Sequence, residues 1–280
     1  MIAHIGLPKT ASTFLQSEYF SNLKGFTCYS PEFNLPNQFK HLFELNKPYD
    51  GVFAGDLIKV RYNHNINIGM DKDFINNSFG DQYILSSEGL TGVGFNYIAT
   101  FWSNMTYLKK TVGIKKIIFI YRNQADYCES GYKQFVLREN RWKRLINIDV
   151  FWKDDASGVG NYRTLKWNRI ILDLYDYFGK ENVCALPFEY FQDCPRDFIG
   201  RLNDFIGSTP IKPINFSKKL NRHTNTKYKY RHKLYFWRNW DYEFDSMPER
   251  LRVEIFDAHK DENRMLDVIT ELDHKDYGYY

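Results

Sequence analysis

The sequence predicts an α/β protein of three layers, a mostly parallel sheet flanked by helices, opening with a strand–loop–helix unit. Three observations predict it. Short apolar runs alternate with stretches of helical periodicity along the chain. The run Lys116–Tyr121 is apolar without alternation, as a parallel strand covered on both faces should be. Polar clusters follow three of the apolar runs at their carboxyl ends, where open α/β sheets bind ligands.

Taken in order, Ile2 to Gly6 reads as a short buried strand, followed by a turn and a helix from about Ser12 to Phe20. Thr10, Ser12 and Thr13 are N-cap residue types at that helix start. Tyr83-Ile84-Leu85 is a second strand, and Lys116–Tyr121 a third, which feeds a helix from about Ala125 to Arg138. A helix over 165–178 leads into the strand Val183-Cys184-Ala185-Leu186. Helices then span about Pro195 to Ile206 and, with amphipathic spacing, about Glu249 to Thr270.

The 280 residues, 43% of them hydrophobic, suffice for a sizeable core, and 18% aromatic content argues against disorder. No linker-like stretch and no repeat divides the chain, so residues 1–280 are expected to form one domain. The net charge of +4 is uneven. Residues 217–240 hold Lys218, Lys219, Arg222, Lys227, Lys229, Arg231, Lys233 and Arg238 with no Asp or Glu. Such a run suits an anionic partner or a solvated loop. Cys28, Cys128, Cys184 and Cys194 are scattered, with no C-x-x-C pair, which points to reduced thiols and a reducing compartment. No signal-peptide pattern opens the chain, and no apolar run nears the ~18 residues of a membrane span. A cytoplasmic protein is expected.

The first polar cluster is Gly6-Leu7-Pro8-Lys9-Thr10-Ala11-Ser12-Thr13-Phe14, between a strand and a helix start. Unpaired backbone N–H groups, the Lys9 charge and the hydroxyls make it a candidate phosphate loop. It is not the common nucleotide P-loop, whose lysine follows a second glycine six residues after the first. Here Lys9 comes three after Gly6, directly behind Pro8. The second cluster begins at Arg122, at the end of the apolar strand, with Ser130 eight residues on. An arginine fork holds two phosphate oxygens and a serine hydroxyl can donate to a third. The third cluster, Ser86-Ser87-Glu88-Gly89, offers one carboxylate, Glu88. Each cluster also has a plain structural reading: a capped helix, an exposed Arg with a helix-surface Ser, and a surface Glu.

Together these segments resemble the PAPS-dependent sulfotransferase family. Pro8-Lys9-Thr10-Ala11-Ser12-Thr13 is similar to its 5′-phosphosulfate loop, P-K-[ST]-G-[ST]-[ST], with Ala11 in place of the glycine. That exchange matters if the loop needs a backbone angle that only glycine adopts comfortably. Arg122 and Ser130 match the family's 3′-phosphate motif, with Gln124 where the motif often has Pro, a position read as shaping the turn. Trp167, Phe188-Glu189, Glu262-Asn263-Arg264-Met265-Leu266 and Tyr277-Gly278-Tyr279 are similar to segments of bacterial members. The resemblance implies a donor, 3′-phosphoadenosine 5′-phosphosulfate, bound without a metal by Pro8 through Phe14, Arg122 and Ser130. Phe14 would lie against adenine or in the core. It implies in-line transfer, with Lys9 supplying positive charge and Glu88 acting as base on the acceptor. His4 reads as a core or hydrogen-bonded histidine, and the other histidines show no metal-ligand spacing. His41 and His64 are the next candidates for the base.

The acceptor suggested by the bacterial resemblance is a carbohydrate, with a small alcohol or phenol behind it. Two alternatives remain. One is a Mg-dependent kinase, which would need an acidic metal ligand at a strand end. The other is a non-catalytic binder of acidic polymer through 217–240, where Tyr228, Tyr230, Tyr235, Phe236 and Trp237 interleave the basic residues.

Overall fold

The structure, a computed structural model, describes residues 1–7, 9–30, 82–91, 98–138, 148–153, 161–217, 227–231, 239–243 and 246–280. Its centre is a five-stranded parallel sheet built from β1 (Ile2–His4), β2 (Thr27–Tyr29), β3 (Tyr83–Ser86), β4 (Lys116–Tyr121) and β5 (Val183–Pro187), in the order β2-β3-β1-β4-β5. Beyond His4, the Ile5 and Leu7 amides still donate to Ile118 and Ile120 of β4. The first strand's pairing therefore runs one residue past the Gly6 end that the sequence predicts.

Side chains alternate across the sheet, and both faces are covered. One face carries Ala3, Ile5, Leu7, Leu85, Ile117, Phe119 and Tyr121. It packs on α2 (Ile98–Tyr107), α3 (Gln124–Arg138), α5 (Trp167–Phe178) and α8 (Glu249–Thr270), with α4 (Ile148–Lys153) beside α3. The other face carries Ile2, Ile84, Ile118, Ile120 and Leu186. It packs on the helical segment after β1 and on α6 (Phe188–Asp193) and α7 (Pro195–Ile206). Residues Ile117 to Tyr121 are fully buried. Each such side chain contributes about 1.5–3 kcal/mol relative to exposure, which explains the lack of polar alternation in β4.

The helices follow their sequence signals. In α5, Trp167, Ile171, Leu174 and Phe178 are buried at helical spacing. In α7, Pro195 opens the first turn and Gly207, at φ 77°, closes it in the left-handed conformation. The segment after β1 differs from the expected regular helix. α1 is only Ser12–Phe14, a wider π-helical stretch covers Leu15–Tyr19, and a 3₁₀ turn covers Phe20–Asn22. Its N-cap is Ala11, without a side-chain cap, and not Thr10, Ser12 or Thr13. The Thr10 hydroxyl is engaged elsewhere, donating to the Leu7 carbonyl at 2.5 Å.

β6 (Lys227–Arg231), within the basic stretch where a loop or ligand segment was expected, pairs antiparallel with β7 (Asn239–Glu243), which starts at the end of that stretch and runs past it. The rest of the 217–240 reading lies outside the described residues apart from Ser217, as do Pro8, His41 and His64. All four cysteines are free thiols. Among the described residues no helix is long and apolar enough to cross a membrane.

Candidate active site

Because all five strands are parallel, their carboxyl ends lie on one edge. β1 sits between β3 and β4 there, the place where the chain's path reverses across the sheet. The segments that follow these three strands are the three polar clusters of the sequence.

The loop after β1 turns through two left-handed residues, Lys9 at φ 69° and Ala11 at φ 62°, ψ 19°. The sequence question about Ala11 thus has a structural answer: the position does take the angle that glycine tolerates best. An alanine there carries roughly 1–2 kcal/mol of strain. The loop begins at Gly6, where a Cβ would stand 2.7 Å from His4 Nε2 and 3.1 Å from Thr10 Oγ1, so no side chain fits. Ser12 is buried, and its hydroxyl has no hydrogen-bond partner among the described residues. Thr13 is exposed and Lys9 half-buried. Phe14 is buried against Phe191 and Phe216, with ring centroids 5.1 and 6.1 Å away. Its ring belongs to the core cluster on that face of the sheet.

Under the loop lies a buried polar group. His4 Nδ1 meets the Ser86 hydroxyl at 2.7 Å, and Gln16 Nε2 donates to the Ser86 carbonyl at 3.2 Å and to its hydroxyl at 3.1 Å. His4 Nε2 is buried without a partner, and burial depresses the imidazole to about 3, so the ring is neutral. Ser86 ends β3, and the Ser87 amide donates to the His4 carbonyl at 3.1 Å. Glu88 follows in a short 3₁₀ turn, half-buried, with its carbonyl accepting the Thr91 hydroxyl at 2.7 Å. The carboxylate-bearing turn is therefore fastened to the strand that leads into the Lys9 loop.

Arg122 leaves the end of β4 and reaches the same loop. Its Nη1 donates to the Lys9 carbonyl at 3.3 Å, joining clusters 113 residues apart in sequence. The guanidinium lies 5.1 Å over the Phe188 ring, and its Nε stands 4.0 Å from Glu189 Oε1, outside hydrogen-bond range. The Arg122 carbonyl accepts the Trp167 indole N–H at 2.7 Å. Ser130 is half-buried in the second turn of α3.

Sequence reasoning gave Glu189 no role. It lies just past β5, buried, with Oε1 accepting the Asn123 amide at 3.0 Å and Oε2 accepting the Tyr279 hydroxyl at 3.0 Å. Burial pushes its carboxyl up to about 7 despite these donors and Arg122. Its position after a strand end, in line with the other clusters, was the available signal. Gln124, read as turn-shaping, is instead a buried amide paired with Asn263 in both directions, at 2.8 and 3.0 Å.

No family model matches this chain, and no curated protein does. Among solved structures it is similar to a sulfotransferase from Alicyclobacillus acidocaldarius, with a TM-score of 0.60, 16% identity, and coverage of 97% of this chain and 96% of that one. It is also similar to a mouse sulfotransferase complexed with PAP, with a TM-score of 0.40 and 16% identity over 80% of this chain and 63% of that one. A retinol dehydratase in complex with retinol and PAP gives a TM-score of 0.40 and 12% identity over 93% and 80% of the two chains. The strand order, the helices on both faces and the near-complete overlap with the first of these make one point: this chain has the α/β fold of the Alicyclobacillus sulfotransferase.

Proposed function

We propose that the chain transfers a sulfuryl group from 3′-phosphoadenosine 5′-phosphosulfate to a hydroxyl or amine, with a carbohydrate as acceptor and a small alcohol or phenol as the next choice. The observation that carries this reading is the 3.3 Å bond from Arg122 to the Lys9 carbonyl. Two candidate anion-binding motifs, unremarkable singly, thereby converge on one edge of the sheet.

In this reading the loop of Pro8, Lys9, Thr10, Ala11, Ser12 and Thr13 takes the 5′ end, with Phe14 backing it from the core. The Ser12 hydroxyl and the amides at the start of the helical segment donate to phosphate oxygens, and Lys9 balances charge on the leaving phosphate. Arg122 and Ser130 take the 3′-phosphate. Glu88 removes the acceptor's proton as the acceptor oxygen or nitrogen bonds to sulfur and the sulfur–phosphate oxygen bond breaks. The released pair of electrons stays on the phosphate, facing Lys9. No metal is called for, because Lys9 and the loop amides supply the positive charge that Mg²⁺ supplies in kinases.

The test is thermal unfolding with 3′-phosphoadenosine 5′-phosphate in EDTA, followed by an acceptor screen with labelled donor. Stabilisation by the nucleotide without metal and label transfer to an acceptor are expected. Stabilisation by ATP alone, and only with Mg²⁺, would turn the assignment toward a kinase.

A further inference from the structure

Four consecutive residues close β4 and carry the Arg122 side of the site. Tyr121, Asn123 and Gln124 are tied directly to residues 263–280, and Arg122 lies beside a carboxyl group that is. The Tyr121 hydroxyl meets His274 Nε2 at 2.6 Å. His274 Nδ1 faces two acceptors, Asp267 Oδ1 at 2.9 Å and the Leu272 carbonyl at 3.0 Å. The ring proton therefore sits on Nδ1, and Nε2 accepts from Tyr121. Arg122 stands beside Glu189, whose second oxygen accepts from Tyr279. Asn123 Nδ2 donates to the Gly278 carbonyl at 2.7 Å. Gln124 pairs with Asn263, which also donates to the Tyr279 carbonyl at 2.9 Å. Tyr121, His274 and Tyr279 are all buried.

The Glu189 carboxyl group decides what this strap does to Arg122. A carboxylate next to a guanidinium ordinarily closes into a two-bond pair at normal hydrogen-bond distance. Here it does not. One oxygen is taken by the Asn123 amide and the other by the Tyr279 hydroxyl, and Arg122 Nε is left at 4.0 Å without a hydrogen bond. Apart from the Nη1 donation to the Lys9 carbonyl, the guanidinium's donors are not taken by Glu189 and are left for another anion. We propose that Tyr279 is a positioning residue for 3′-phosphate recognition: by occupying Glu189 Oε2, it stops that carboxyl group from capturing Arg122. This rests on the sulfotransferase reading of the site.

The test is calorimetric binding of 3′-phosphoadenosine 5′-phosphate and of adenosine 5′-monophosphate, which differ only in the 3′-phosphate. The readout is the ratio of their affinities. Tyr279→Phe removes one hydroxyl and should lower the ratio about tenfold, the scale of one charge-assisted hydrogen bond. Adding Glu189→Gln to it should restore the ratio to within about threefold of the parent, because an amide does not form that ion pair. Glu189→Gln alone should keep the ratio or raise it. A merely structural Tyr279 would weaken both nucleotides alike, with no rescue, and that result would overturn the proposal. So would an unchanged ratio in Tyr279→Phe, or a fall in Glu189→Gln alone. If the parent protein itself does not prefer the 3′-phosphorylated nucleotide, the donor assignment falls and this proposal with it. A parent preference that Tyr279→Phe leaves intact removes only the proposal.

Discussion

On the β1 side of the site, polar atoms and backbone are held short of satisfaction. His4 Nε2 and Ser12 Oγ are buried without partners, and Lys9 and Ala11 take left-handed angles. On the β4 side, Tyr121 is bonded to His274, Asn123 to Glu189 and Gly278, and Gln124 to Asn263, with negative φ throughout 121–124, while Arg122 Nε is left without a hydrogen bond. Unsatisfied donors and strain cost stability and persist where a ligand will use them. A dense buried network does the reverse, fixing geometry in advance. In the proposed site, the first side would supply the binding groups and the second would act as the ruler against which the ligand is measured.

The largest effect should come from Glu88, on the first side. Glu88→Gln keeps size and most hydrogen bonding but removes the proton acceptor. Turnover should fall by ~10²–10⁴ while binding of 3′-phosphoadenosine 5′-phosphate survives. Near-normal turnover would remove Glu88 as the base and direct attention to His41 and His64. On the ruler side, Arg122→Ala should weaken 3′-phosphoadenosine 5′-phosphate by ~1.5–3 kcal/mol and leave adenosine 5′-monophosphate nearly unchanged. Equal losses would make Arg122 structural.

The two sides should also respond oppositely to pH. The His4 imidazole falls from 6.5 to about 3 on folding, so the unfolded chain binds the extra proton between those values. The resulting stability is complete above 6.5 and is lost as pH falls toward 3. The Glu189 carboxyl rises from 4.5 to about 7, so here the folded chain binds the extra proton. Its contribution is complete below 4.5 and is lost as pH rises toward 7. Between 4.5 and 6.5 the two slopes oppose. Relative to the parent, Glu189→Gln should make stability climb with pH by about 1.4 kcal/mol per unit in that window, and His4→Gln should make it decline equally. Urea unfolding at three pH values checks both signs.

The smallest effect is the cleanest contrast. Ala11→Gly should stabilise the protein by about 0.5–1 kcal/mol, since relief of the left-handed strain outweighs the added chain entropy. Ala125→Gly, on the α3 helix of the other side, should destabilise by about 1 kcal/mol. Thermal unfolding of the pair decides whether the strain is confined to the loop.

What the sequence made legible was local. The apolar run Lys116–Tyr121, the helices 195–206 and 249–270, and the polar clusters at three strand ends could be read because each signal lies within a few neighbouring residues. The left-handed Ala11 was foreshadowed by its departure from the glycine expected there. What could not be read was pairing across distance. Gln124 finds Asn263 from 139 residues away, and Glu189 meets Tyr279 from 90 away. No periodicity or spacing encodes such a bond. β2, only three residues long, and α6, which starts directly from β5, were also missed, because elements that short carry no period to detect.

The grip of residues 274–280 on residues 121–124 has a consequence in time. Asn123 is synthesised 155 residues before Gly278, whose carbonyl it will hold. At roughly 5–20 residues per second, that interval lasts on the order of ten to thirty seconds. Until then Tyr121 and Asn123 lack their last partners, and Glu189 Oε2 is without the Tyr279 hydroxyl. The nascent chain can complete its sheet before residues 274–280 are made, and the Tyr279 contact proposed to position Arg122 forms only once they are.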